Sequence, residues 1–235
     1  MRKNHIAGFT LIEMLVVIAI IATIAAFALP AITGALTRGQ LAQAVSNARQ
    51  VHLATFSMTT DGTQTGDAKY GWPGDLFAAT DANVKIANVS EFVQRLVDND
   101  YLKPGDLKVF ATAGITPWTG TYTAPPDANS KGTLAPPFDA DKNCAFKIYK
   151  VTDKDGGNTL FMATKNFTYT SNSTQAIDTT KTPFGDKGFV VFHKGGDGTF
   201  YKRQQATAKT ILGTLPGKTD TNSNEDPNTD LLPQQ

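Results

Sequence analysis

Cysteine is almost absent from this sequence. Cys144 is the only one among 235 residues, which excludes an intramolecular disulfide. Histidine is nearly as scarce, with three residues, and their spacing fits no zinc site. The sequence also lacks a Gly-x-Ser-x-Gly element and any visible nucleophile–base pattern. We therefore predict that the chain is not an enzyme and has no catalytic residues.

Charge is also sparse. Asp, Glu, Lys and Arg make up 18% of the residues, and the formal net charge is +1. Residues 1–8 carry two positive charges and residues 9–58 carry one net positive charge, so the remainder has a net charge of −2. A protein that captures nucleic acid on a basic patch has the opposite balance. We expect no nucleic-acid partner.

Two short stretches imitate ligand sites but lack the residues that such sites require. GTLPGKT (213–219) has its glycines too close for a P-loop, and Pro216 removes an N–H that would face phosphate. The stretch at 139–143 begins like an EF-hand loop, but Cys144 replaces the required glycine and Lys150 the final glutamate. We reject both.

What the sequence does contain is an apolar run at 9–29, long enough as a helix to cross a hydrocarbon core. The exceptions within it are Thr10, Glu13 and Thr23. Arg2 and Lys3 precede it, as expected on the cytoplasmic side. A secretory signal peptide, with a small-x-small pattern at 26–28, and a plain membrane anchor are two explanations. Neither explains Glu13, whose carboxylate costs several kcal/mol in such a run.

The residues around this carboxylate resemble a known processing site. Gly8-Phe9-Thr10-Leu11-Ile12-Glu13 is similar to the class III signal peptide of type IV pilins and type II secretion pseudopilins. The resemblance covers residues 1 to about 58. It implies cleavage between Gly8 and Phe9 by a prepilin peptidase, followed by N-methylation of Phe9. It also implies that Glu13 pairs with the amino terminus of a neighbouring subunit, because either charge alone is costly in an apolar bundle.

The same resemblance implies an α+β, pilin-like fold, with a long N-terminal helix packed on a small antiparallel β-sheet domain. We expect a cleaved leader peptide at 1–8, a transmembrane half-helix at 9–29 and an amphipathic half-helix at 30–58. A periplasmic globular domain is expected at 59–215 and a flexible tail at 216–235. Pro30 is predicted to kink the helix, because proline lacks the N–H that the helix needs there.

The amphipathic half-helix has an apolar stripe at three- and four-residue spacing, on which the domain should pack. Its members are Leu41, Ala44, Val45, Ala48 and Val51. His52 lies near this stripe and is interpreted as a structural residue. A surface loop is predicted at 59–75 and a short helix at 90–97, with Ser90 as its cap and Asn99 as its stop.

Two hairpins are predicted in the second half of the chain, because aromatic and β-branched runs flank glycine-aspartate turns. The first pairs 144–151 with 158–164, and the second pairs 188–194 with 199–203. A long Pro/Gly-rich connector at 116–137 separates the short helix from these strands.

Calcium is the one cofactor that the resemblance suggests, since major pseudopilins bind it in a loop after the late strand. Asp186 and Asp197 are the candidate ligands here. The stretch at 199–209 has no acidic residue where the family supplies further ligands. Asp197 is therefore interpreted first as a turn residue.

The function implied first is a pseudopilin, a structural subunit of the periplasmic fibre of a type II secretion system. The alternative is a type IV pilin of a surface filament for adhesion, twitching motility or DNA uptake. The missing disulfide and the acidic outer domain favour the pseudopilin, because many major pilins close a C-terminal loop with a disulfide. A third explanation is an uncleaved anchor that holds a periplasmic binding domain.

A pilin-like subunit implies several partners and a defined location. The partners are identical or related subunits, the prepilin peptidase, and an inner-membrane assembly platform with its ATPase. The chain is then expected in the bacterial inner membrane, with its domain in the periplasm, and later in a periplasmic or surface filament.

Processing gives the first testable prediction. Mass spectrometry of the mature protein should find an N-terminus at methylated Phe9. Gly8→Val should block cleavage, because the peptidase subsite must admit the residue before the cut, whereas Gly8→Ala should retain part of it. Mature chains that begin after Ala28 would instead identify an ordinary signal peptide.

Overall fold

The computed structural model describes residues 10–127, 130–167, 180–202, 205, 213–217 and 232–234. The chain divides into two compact units, Met1–Gly39 and Gln40–Gln235. The helices are α1 (Leu11–Thr65), α2 (Pro73–Ala78), α3 (Val89–Asp98), a 3₁₀ helix (Pro104–Phe110) and α4 (Ala140–Asn143). The strands are β1 (Thr121–Thr123), β2 (Thr133–Ala135), β3 (Phe146–Ile148), β4 (Leu160–Thr164), β5 (Phe189–His193) and β6 (Gly198–Tyr201).

The described part of the first unit is the beginning of α1. This helix contains a stretch that is long and apolar enough to cross a membrane. Its large apolar side chains are exposed in the isolated chain, including Leu11, Ile21 and Phe27. Such a surface is stable only against lipid or other protein chains.

In the second unit, the predicted stripe on α1 faces the core. Leu41, Ala44, Ala48 and Val51 are all buried, while Val45 is only half-buried at the edge of the stripe. The wider buried set on this helix continues in steps of three and four residues to Gly62. The stripe is therefore the seam on which the α+β domain packs, as the sequence predicts.

The helix continues through Thr65 instead of ending at 58, so the first part of the predicted loop at 59–75 is helical. Threonine hydroxyls in these last turns bond back to carbonyls of the preceding turn, as in Thr63 Oγ1 to Thr59 O at 2.9 Å. Gly62 lies so close to the Tyr70 carbonyl that a Cβ would collide with it. Local polar composition suggested a loop here, but close packing keeps the segment helical.

The sheet confirms both predicted hairpins. Its four antiparallel strands run in the order β3-β4-β5-β6, with Phe146 opposite Thr164 and Phe189 opposite Tyr201. Every residue of the central strands β4 and β5 is buried. Fully buried strands need apolar residues on both faces, which explains the continuous run Phe-Val-Val-Phe in β5.

The short helix α3 forms where it was predicted, but Ser90 is not its cap. The cap is Asn88, whose side chain accepts a hydrogen bond from the Glu91 N–H at 2.9 Å. The Glu91 carboxylate in turn accepts from the Ala87 N–H at 2.7 Å. Asparagine and serine are equally good N-cap residues. The reciprocal hydrogen bonds with Glu91 favour Asn88 as the cap over Ser90. Asn99 ends the helix as predicted.

Two parts of the fold differ from the sequence-based expectation. The connector at 116–137 contains a small antiparallel pair, β1 and β2, whose three-residue strands are too short to show a period. Within the predicted flexible tail, Leu232 is buried, and its N–H donates to the Ile148 carbonyl at 2.8 Å. The Pro233 carbonyl accepts from the Val89 N–H at 2.7 Å. These residues of the tail are thus held against β3 and α3.

The buried tail contact gives a prediction about stability. Leu232→Ala should lower the free energy of unfolding by about 2–4 kcal/mol, because it removes buried methyl groups and leaves a cavity. Leu53→Ala is the matched control, since Leu53 is 55% exposed on α1. Thermal unfolding of the full chain in detergent micelles, followed by circular dichroism, compares the two. Equal Tm values for both variants would contradict the docked tail.

Candidate functional site

The start of α1 is built around Thr10 and Glu13. Because α1 begins at Leu11, Thr10 is the N-cap residue and Glu13 the third residue of the first turn. One Glu13 carboxylate oxygen, Oε2, accepts from the Thr10 N–H at 2.8 Å and from the Thr10 hydroxyl at 2.7 Å. The Glu13 N–H donates to Thr10 Oγ1 at 3.3 Å. This reciprocal capping box satisfies backbone donors that would otherwise lack partners.

The carboxylate of this box has no cation partner among the residues that the structure describes. No charged residue follows it until Arg38, so the chain itself supplies no lysine or arginine to the apolar stretch behind it. An ionised carboxylate in a low-dielectric environment attracts an external cation strongly. The arrangement can therefore hold an ammonium group that approaches the start of the helix.

The predicted site residues fall at separate places. Gly8 and Phe9 lie outside the described residues, so cleavage and methylation stay predictions. Pro30 lies inside α1, whose helical assignment continues through it. The Thr33 hydroxyl donates to the Pro30 carbonyl at 3.0 Å. The expected kink stays a prediction.

The two candidate calcium ligands lie beyond opposite ends of β5. Asp186 is exposed before the strand, and Asp197 lies in the turn after it. Neither residue is part of the strand itself, and calcium binding by either stays a prediction. Among the described residues, no group of three or more His, Cys, Asp or Glu side chains is arranged to hold a metal ion.

Asp197 has a partner of a different kind. Its carboxylate lies 2.7 Å from His193 Nδ1, and its backbone carbonyl accepts from the His193 N–H at 2.9 Å. These contacts close the turn between β5 and β6. They match the interpretation of Asp197 as a turn residue.

His52 and Cys144 are buried in the core. His52 Nε2 lies 2.7 Å from the Lys194 carbonyl, and burial lowers the pKa of this histidine. Cys144 is buried, and burial raises the pKa of its thiol to about 11. A protonated, inaccessible thiol does not form cross-links between chains.

Thr10 is the site residue that the sequence-based reasoning missed. The signal was available, because Thr-x-x-Glu directly before an apolar run is the pattern of a capping box.

Comparisons with known proteins agree with the N-terminal geometry. The family model described as "Prokaryotic N-terminal methylation motif" matches residues 3–29. The chain is similar to proteins named "Type IV major fimbrial protein FimA" from Dichelobacter nodosus. One is 28% identical over 152 residues, which are 64% of this chain and 82% of that protein. Another is 38% identical over 96 residues, or 38% of this chain and 60% of the relative.

A third FimA protein of that organism is 37% identical over 78 residues. That match covers 33% of this chain and half of the relative. No solved structure matches the chain at a significant level.

The capping box predicts a difference between two threonines of α1. Thr10→Val removes the hydroxyl that bonds Glu13 and should destabilise the first turn by about 1 kcal/mol. Thr23→Val is the control, because the Thr23 hydroxyl only bonds back to the Ala19 carbonyl at 2.8 Å. Hydrogen exchange of the first-turn amides in micelles should accelerate several-fold in Thr10→Val alone. Unchanged exchange in that variant would show that the box does not hold the helix start.

Proposed function

We propose, from the premise that this chain belongs to the type IV pilin family, that it is the structural subunit of a type IV pilus. One observation carries the proposal. An apolar helix begins at Leu11 with a carboxylate in its first turn. The N-cap residue Thr10 holds that carboxylate, and no cation among the described residues pairs with it. Members of this family are structural proteins, so the chemistry is done to the chain by a processing peptidase.

The choice between a pilus and a secretion fibre rests on the relatives. The sequence alone placed the type II secretion pseudopilin first, chiefly because Cys144 cannot form an internal disulfide. The matched relatives are named fimbrial proteins, and one match extends over 152 residues. This similarity reaches well beyond the N-terminal motif and favours the surface pilin, which was the alternative. Tail docking by Leu232 offers a means of fixing the C-terminal region without a disulfide.

The proposed mechanism begins with the prepilin peptidase, which cleaves after Gly8 and exposes the α-amino group of Phe9 for methylation. That group is then adjacent to Thr10, at the end of the helix where the Glu13 carboxylate is already held. In the membrane, the capping box reduces the cost of an unpaired carboxylate by providing two hydrogen bonds. During assembly, Glu13 accepts the ammonium of a neighbouring subunit, which sets the axial register of each addition.

The remaining partners follow from this mechanism. The exposed apolar surface of α1 lies in the inner membrane before assembly and in the filament core afterwards, so identical or related subunits replace lipid around it. An assembly platform with its ATPase supplies the free energy that is needed to extract α1 from the inner membrane. The domain at 59–215 then faces outward.

Substitution of Glu13 tests the mechanism. Glu13→Ala should leave cleavage nearly intact, because the peptidase reads mainly the Gly8 side, but it should abolish filaments. The buried ammonium would lose its partner, at a cost of about 3–5 kcal/mol per subunit. Glu13→Gln keeps the shape and some hydrogen bonding but loses the negative charge. It should therefore assemble poorly. Mass spectrometry confirms cleavage, and electron microscopy counts filaments; a cleaved Glu13→Ala that assembles like the parent would contradict the pairing.

Location distinguishes the two candidate fibres. If the chain forms a pilus, mechanical shearing of intact cells should release filaments that contain it. The control is a strain that expresses Gly8→Val, which should retain the chain in the membrane. The pseudopilin would be supported if the chain is absent from the sheared fraction and deletion of its gene stops secretion of a folded periplasmic protein.

A further inference from the structure

One lysine joins three segments at one end of the four-stranded sheet. The Lys194 N–H donates to the Thr159 carbonyl at 2.8 Å, which links the end of β5 to the residue before β4. The Lys194 carbonyl accepts from His52 Nε2 at 2.7 Å, and a carbonyl can only accept, so Nε2 carries the proton. The backbone of this residue thus connects α1 with both hairpins.

The side chain of Lys194 makes a third connection. Its ammonium donates to the carbonyl oxygens of Asp153 and Asp155, at 2.7 and 2.6 Å. Both oxygens belong to the turn between β3 and β4. The Trp72 ring lies beneath the same ammonium, with its centroid 5.2 Å away. Two carbonyl oxygens and an aromatic face are groups that bind cations in proteins.

The carboxylates nearby are engaged by backbone groups of the same region. Asp75 accepts from the Asp153 N–H at 2.8 Å. Asp155 accepts from the Thr152 N–H and from the Gly217 N–H, both at 2.7 Å. Burial raises the pKa of Asp75, and the hydrogen bond from the Asp153 N–H lowers it; the charges of Asp153 and Asp155 add to the first effect and the charge of Lys194 to the second. The positive charge of Lys194 thus contributes to holding these acidic groups together.

We propose that the Lys194 ammonium is a tethered cation, which fills a cation-binding site formed by the β3–β4 turn and Trp72. In this arrangement the protein's own side chain does the work of a bound ion. The site fixes the turn against the end of β5, and through the His52 contact it fixes α1 against the same end of the sheet.

A cavity of about 230 Å³ beside the ammonium makes the site accessible. Its lining includes Thr60, Thr63, Trp72, Asp153 and Lys194. Removal of the lysine side chain would leave the carbonyl oxygens and the aromatic face in place but without a cation. A small external cation could then enter from the cavity.

The test uses the full chain in detergent micelles and measures Tm. Lys194→Met keeps most of the apolar stem and removes the charge, so Tm should fall by about 5 °C or more. Lys142→Met is the matched control. The Lys142 side chain is 80% exposed in an ion pair with Asp139, which should change Tm by about 1 °C or less.

Chemical rescue identifies the role of the charge. Lys194→Ala should regain at least half of its lost Tm in ammonium chloride, relative to tetramethylammonium chloride at the same ionic strength. The larger ion cannot approach the carbonyl oxygens or donate a hydrogen bond. Equal Tm values in the two salts, or a Lys194→Met variant that melts like the Lys142→Met control, would overturn the proposal.

A folding failure would also be decisive. If Lys194→Ala does not fold in tetramethylammonium chloride, recovery of folded protein in ammonium chloride supports the tethered cation. Absence of recovery in ammonium chloride overturns it, because the cavity gives this ion access to the site.

Discussion

A carboxylate inside an apolar helix needs hydrogen-bond donors or a cation, because an unpaired charge loses its hydration there without compensation. Glu13 meets part of this need within its own chain, through the Thr10 N–H and hydroxyl. The carboxylate still lacks a positively charged partner, and no residue between Glu13 and Arg38 carries a positive charge. On the proposed function, a neighbouring subunit supplies this positive charge.

The helix that carries this carboxylate has two different surfaces. In the second unit, the seam from Leu41 to Gly62 is buried by the domain. Leu53 and Phe56 lie outside this seam and are more than half exposed. An apolar surface that the domain leaves uncovered, on the helix proposed for the filament core, is what a subunit that assembles through α1 requires. Midway along this seam, the hydrogen bond between His52 and the Lys194 carbonyl links the domain to the same helix.

The sequence predicted the parts of the fold that have a period or a local signature. The stripe on α1, the helix α3 and both hairpins belong to this class. The helix end at Thr65 was missed because glycine and threonine favour loops, whereas the close approach of Gly62 to Tyr70 exists only in the folded chain. The docking of Leu232 was missed for the same reason, since a polar run surrounds it. Thr10 and Glu13 are three residues apart and readable from the sequence as a capping box, whereas the contacts of Lys194 join segments distant in sequence and have no local signal.

A filament reconstruction by electron cryo-microscopy would test the central claim most directly. If Glu13 is the assembly contact, its carboxylate should lie within about 3 Å of the α-nitrogen of Phe9 in an adjacent subunit, with the helices bundled at the axis. A reconstruction in which Glu13 remains bonded only to its own Thr10, with every Phe9 nitrogen paired elsewhere, would contradict the account.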